Sequence, residues 1–116
     1  EVMVLPITEI ISENDFFDYD AKYNGKSQEI TPARLDANTV EEVHNNVKKL
    51  YRQLGLSGVC RSEFIIEGGT PHLLEVNTIP GLTAASLLPQ QVSAAGIELS
   101  DFFESLLTEA MKKPLI

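Results

Sequence analysis

Residues 58–66 and 71–77 are two strand-like apolar runs on either side of Glu67-Gly68-Gly69-Thr70, and this pairing constrains the chain more than any other feature. Paired glycines between two such runs predict a β-hairpin, because glycine enters the positive-φ backbone of a tight turn without steric cost. Directly opposed residues share one face of the ribbon, so a one-residue slip mixes the faces. A three-residue loop of Gly68-Gly69-Thr70 pairs Glu67 with Pro71, Phe64 with Leu74, Ser62 with Val76 and Glu63 with Glu75. That register gathers Ser62, Phe64, Ile66, Leu74 and Val76 on one face. A two-residue loop pairs Glu63 with Leu74 and Ser62 with Glu75, which mixes charge into the apolar face. The three-residue loop is therefore the predicted one.

The opposite face then carries Arg61, Glu63, Glu75 and Asn77, with Ile65 and Leu73 nearby. Directly opposed Cβ atoms stand about 4.5–5.5 Å apart, which is unfavourable for two carboxylates without a counter-charge. Arg61, two residues before Glu63, supplies one; a divalent cation is another. Two carboxylates and an amide oxygen are hard ligands of the kind Mg²⁺ takes, phosphates and water completing its octahedron. An ordinary solvated sheet face accounts for the same residues on spacing alone. Beyond the strand, Gly81 lets backbone approach a ligand closely. Ser86, Leu87 and Leu88 fall at a predicted helix start, where free N–H groups bind anions such as a carboxylate. The alternative is that Ser86 only caps that helix.

The remaining segments read as follows. Residues 2–11 predict a strand that Pro6 confines to an edge or breaks. Residues 12–37 show no sustained period, and so long a connection is often functional, for instance as a lid. Thr39-Val-Glu-Glu42 fits a capping box that opens a helix over 39–54, with Val40, Val43, Val47, Leu50, Tyr51 and Leu54 on one stripe and Gly55 as its stop. Ser86 to Ala95 predict a short helix closed by Gly96. Ser100 is the expected cap of a last helix with the stripe Phe102, Phe103, Leu106, Leu107, Ala110 and Met111, and with Lys112 and Lys113 at its negative end.

Net charge is −8, which argues against nucleic acid as the main partner because phosphate binding needs a basic surface. No apolar run reaches membrane-spanning length and no signal peptide is visible, so the expected compartment is the cytoplasm. Cys60 is the single cysteine and reads as a reduced, buried thiol. His44 reads as solvated on the polar side of its helix, and His72 as a weak candidate ligand beside the turn. The chain opens at Glu1 directly in an apolar run, as a segment of a longer protein would.

Three ordered stretches carry a resemblance. LLEVNTIPGLTAASLLP resembles the closing motif of the D-alanine–D-alanine ligases, of the ATP-grasp superfamily. FFDYDAKYNGKSQEITPARL resembles that family's mobile loop and the strand after it, and GVCRSEFIIEGGTPHLLEVN its metal-binding hairpin. The implied fold is α+β, an antiparallel β-sheet with flanking helices. Residues 1–116 would form the C-terminal part of an ATP-grasp domain, with an active-site loop at about 12–37. The implied reaction is ATP-dependent joining of two D-alanine molecules through an acyl phosphate, for peptidoglycan.

Carried over by the resemblance, Glu63, Glu75 and Asn77 hold two Mg²⁺ ions (Mn²⁺ being the alternative), with Glu75 bridging. Arg61 and the Gly81 N–H stabilise the tetrahedral oxyanion. Ser86 and Leu87 fix the carboxylate of the second D-alanine. Lys22 reaches the ATP phosphates, and Tyr23 helps to close the site. One departure stands out: the family pattern is Arg-x-Asp, and here Arg61-Ser62-Glu63 puts a longer acid at the first ligand position. The resemblance also implies a homodimeric parent and an inactive isolated segment. Two other functions remain open here: a ligase with D-lactate or D-serine as acceptor, and a non-catalytic acidic cation-binding interaction domain.

Overall fold

The structure, a computed structural model, describes residues 2–12, 27–83 and 86–112. The chain divides into two compact units, one of residues 1–4, 35–80 and 98–116, the other of residues 5–34 and 81–97. The α+β expectation holds, with the antiparallel pairing divided between two two-stranded ribbons. No helix among the described residues is long and apolar enough to cross a membrane.

In the first unit, helix α1 spans Ala37–Gln53. It begins earlier than the capping-box reading placed it. Asp36 is the N-cap, its carboxylate accepting from the Thr39 N–H at 2.7 Å, and Thr39 itself is buried inside the first turn. Two cap-competent residues stood three apart, and the acid took the role. Val43 is buried, while Leu54 at the last position of the predicted stripe is exposed. The helix closes in a Schellman motif: Gly55, at φ 64°, donates to Arg52 O, and Leu56 donates to Tyr51 O. The Tyr51 hydroxyl donates to Gly58 O at 2.6 Å, which ties the connection back onto the helix.

Strands β3 (Arg61–Glu67) and β4 (Thr70–Asn77) form the predicted hairpin with a different turn. Glu67 opposes Thr70, so the loop is Gly68-Gly69, both at positive φ as a two-residue hairpin turn requires. That turn alone would mix the faces. The register shifts between Phe64 and Glu63, with Leu74 as the extra residue of a β-bulge. Helix α3 (Leu99–Met111) has Glu98, not Ser100, at its N-cap. Phe102 is buried and lies 6.1 Å from Phe103, whereas Leu107 and Met111 are exposed, so only the start of the predicted stripe is covered. Lys112 reaches Glu109 at 3.5 Å.

In the second unit, the strand predicted over 2–11 shrinks to β1 (Glu9–Ser12), which pairs antiparallel with β2 (Ser27–Ile30). The zipping continues past the ladder. Thr8 and Thr31 hydroxyls meet at 2.6 Å, Ala33 N–H donates to Ile7 O at 2.7 Å, and Arg34 clasps Glu9 through Nε at 3.0 Å and Nη2 at 2.8 Å. That clasp holds the Glu9 carboxyl at about 2, far below the usual carboxylate range. Helix α2 (Leu87–Ala94) buries Leu87, Leu88 and Val92. It ends at Gly96, φ 75°, with Gly96 and Ile97 donating to Ser93 O and Val92 O in a second Schellman motif.

Candidate functional site

The bulge at Leu74 decides the chemistry of the β3–β4 ribbon. On the turn side of it, Ile66 opposes Pro71 and Phe64 opposes Leu73, so Leu73 takes the apolar place expected for Leu74. On the other side, Glu63 opposes Glu75 and Arg61 opposes Asn77, the pairing that the sequence called for. The turn was misread and the functional register was right, because one inserted residue reverses the side-chain phase of all that follows.

Arg61 supplies the expected counter-charge. Its Nη2 donates to Glu63 Oε2 at 2.8 Å, with both side chains less than one-fifth exposed. Its Nε is buried without a hydrogen-bond partner. Asn77 ends the strand: Oδ1 accepts the Ile79 N–H at 2.9 Å, an Asx turn that leads to the buried Pro80. An amide oxygen has two lone pairs, and this bond takes one of them. Among the described residues no three His, Cys, Asp or Glu side chains form a metal-binding group. Glu63, Glu75 and Asn77 offer hard oxygens from one ribbon face, the donor chemistry that could hold a divalent cation. His72 lies in register with Ile65, nearer the turn than either acid.

The second unit carries the other candidates. Ser86 sits at the N-cap of α2 in extended backbone, yet its side chain makes no capping bond. Its hydroxyl meets Thr83 Oγ1 at 2.8 Å, and its N–H donates to Thr83 O at 2.9 Å. This counts against the simple capping role. Leu87 begins the helix, where intrahelical partners for the first N–H groups are lacking. Gly81 belongs to the same turn: a Cβ there would stand 2.7 Å from Ser86 Oγ. Gly81 and Ser86, read separately from the sequence, are thus neighbours in space. Thr83 was missed; a hydroxyl residue three positions before the N-cap Ser86 was the available signal.

Lys22 and Tyr23 lie outside the described residues. His44 departs from its expected solvation: it is half-buried, its Nε2 lacks a partner, and desolvation, with Lys48 nearby, lowers its pKa. Cys60 is half-buried, and burial pushes its thiol up, away from reactive thiolate.

A family model described as the D-ala D-ala ligase C-terminus matches residues 1–108. The D-alanine–D-alanine ligase of Flavobacterium johnsoniae is 57% identical over 107 residues, which cover 92% of this chain and 33% of the relative. That of Phocaeicola vulgatus is 53% identical over 106 residues, covering 90% and 33%. Among solved structures, the D-alanine–D-alanine ligase of Bacillus anthracis complexed with ATP superposes with a TM-score of 0.76 at 36% identity, over 93% of this chain and 36% of that one. The chain spans about a third of the length of these relatives.

Proposed function

The chain belongs to the D-alanine–D-alanine ligase family, and from that premise we propose that the full-length protein joins two D-alanine molecules at the expense of ATP. The product, D-alanyl-D-alanine, serves peptidoglycan synthesis, and the work is done in the cytoplasm. The observation that carries this reading is the phase reversal at Leu74, which sets Glu63 opposite Glu75 and Arg61 opposite Asn77.

The residues divide the labour as follows. Glu63, Glu75 and Asn77 are the side chains that would hold divalent cations, and such ions would supply positive charge against the phosphates of ATP. Glu63 in place of a shorter acid keeps the carboxylate, and the Arg61 bond fixes its longer arm. Phosphoryl transfer to the first D-alanine leaves ADP. The second D-alanine's amine then attacks the carbonyl carbon of the acyl phosphate, and negative charge develops on the tetrahedral oxygen. Arg61 and the Gly81 N–H donate to that oxygen. The C–O bond to phosphate breaks as the nitrogen loses its proton, giving the dipeptide and inorganic phosphate. The Ser86 hydroxyl and the Leu87 N–H receive the acceptor's carboxylate, where the start of α2 favours negative charge. Lys22 and Tyr23 engage the ATP phosphates and exclude water, which would otherwise hydrolyse the acyl phosphate.

The test is Glu75→Gln in the full-length protein, an exchange that keeps shape and removes charge. Turnover should fall by roughly 10³-fold or more with the thermal transition retained, as loss of a major electrostatic group does. Turnover near the parent's level would remove the ribbon face from the reaction.

A further inference from the structure

Gln90 and Glu29 make a contact that the proposed reaction does not use. Gln90 Nε2 donates to Glu29 Oε1 at 2.6 Å in a half-buried setting, across 61 residues of chain and within the second unit. A short bond to an ionised acceptor is stronger than one between neutral groups. Gln90 lies four residues after Ser86, and positions four apart share a helix face one turn above the other. Long helical side chains lean toward the N-terminus, so the load on Gln90 bears on the turn that presents Ser86 and Leu87. At the other end, Glu29 stands opposite Ile10 in the β1–β2 ladder, and the Thr8–Thr31 and Glu9–Arg34 contacts fasten the same ribbon. The apolar anchors Leu87, Leu88 and Val92 hold α2 by packing, which has no direction of its own. The Gln90–Glu29 bond adds a directional tie from the same helix to the β1–β2 ribbon.

We propose that the Glu29–Gln90 pair is a positioning link that sets the pose of the α2 N-terminus and thereby the affinity for the acceptor's carboxylate. It rests on the proposed ligase reading and goes beyond it, since that reading gives neither residue a role.

The experiment uses the full-length protein, with ADP release followed against D-alanine and against ATP. Parent turnover comes first: without D-alanine-dependent ADP release the ligase reading itself fails, whatever the variants do. Given parent activity, Gln90→Ala and Glu29→Ala should each raise the half-saturating concentration of the acceptor by roughly three- to tenfold, the worth of one ordinary hydrogen bond. The ATP half-saturation and the maximal rate should stay within about twofold. The double variant should cost no more than either single, as expected for two halves of one bond. Glu29→Gln keeps an acceptor oxygen and should restore most of the acceptor affinity. Additive effects, a fall in maximal rate with unchanged acceptor affinity, or no rescue by Glu29→Gln would each overturn the proposal.

Discussion

Asp36 and Ser86 both stand at the start of a helix, both are residues that cap helices well, and they are used in opposite ways. Asp36 turns its carboxylate onto the Thr39 N–H, and that bond lowers its pKa. Ser86 turns away from its own helix and bonds Thr83 instead. The first arrangement closes the helix end as a joint: donors that lack intrahelical partners find one in the side chain. The second leaves the helix's first donors without a bond from the N-cap side chain. The difference teaches that a cap residue in sequence marks where a helix begins, and only its hydrogen bonds say whether that end is structural or available.

The sharpest way to break this contrast is Gly81→Ala. The new Cβ would sit 2.7 Å from Ser86 Oγ, so the hydroxyl must swing and give up Thr83. Turnover of the full-length protein should drop by roughly 10²-fold, since the same change shifts a proposed oxyanion donor. Little change would mean that neither group needs its present place. Next in size, Ser86→Ala should raise the acceptor half-saturation by roughly tenfold with the melting temperature nearly unchanged, since no cap is lost. A lowered melting temperature with unchanged affinity would make Ser86 a cap after all.

Asp36→Ala should do the reverse, lowering the melting temperature while acceptor affinity stays put; a kinetic effect there would erase the distinction. The smallest effect concerns pH. Glu9 titrates at about 2 in the fold against an ordinary 4.5, so its contribution is complete above pH 4.5 and lost as pH falls toward 2. Asp36, also lowered, acts with the same sign. Carboxyl chemical shifts followed by NMR through this window should show Glu9 titrating near 2, and a Glu9 midpoint near 4.5 would dissolve the Arg34 clasp.

Much of this was legible in sequence, and the failures have physical causes. The hairpin and the Glu63–Glu75 pairing followed from face segregation, which any register must satisfy. The bulge did not, because an extra residue at Leu74 leaves no local mark when both Leu73 and Leu74 are apolar. Gly55 and Gly96 marked their helix ends correctly, since a Schellman motif needs positive φ and glycine provides it. Thr39 failed as a cap because Asp36, three residues earlier, took the Thr39 N–H; α3 begins at Leu99, after a Glu98 that makes no side-chain cap, so Ser100 already lies inside the helix. The stripe through Leu107 and Met111 overstated burial, since periodicity records an apolar face and not what covers it. His44 was placed in solvent by the same helical wheel, and its half-burial depends on neighbours the wheel does not contain. For the site, the residue types were readable and their contacts were not: nothing in the spacing joins Gly81 to Ser86, or Glu29 to Gln90.

The measurement that bears most directly on the account is ADP release by the full-length protein with ATP and Mg²⁺, offered D-alanine, L-alanine and D-lactate singly and in pairs. Release that requires D-alanine alone, with D-alanyl-D-alanine as product, is the predicted result. A folded protein that releases no ADP with any of them, or only with D-alanine and D-lactate together, would contradict it.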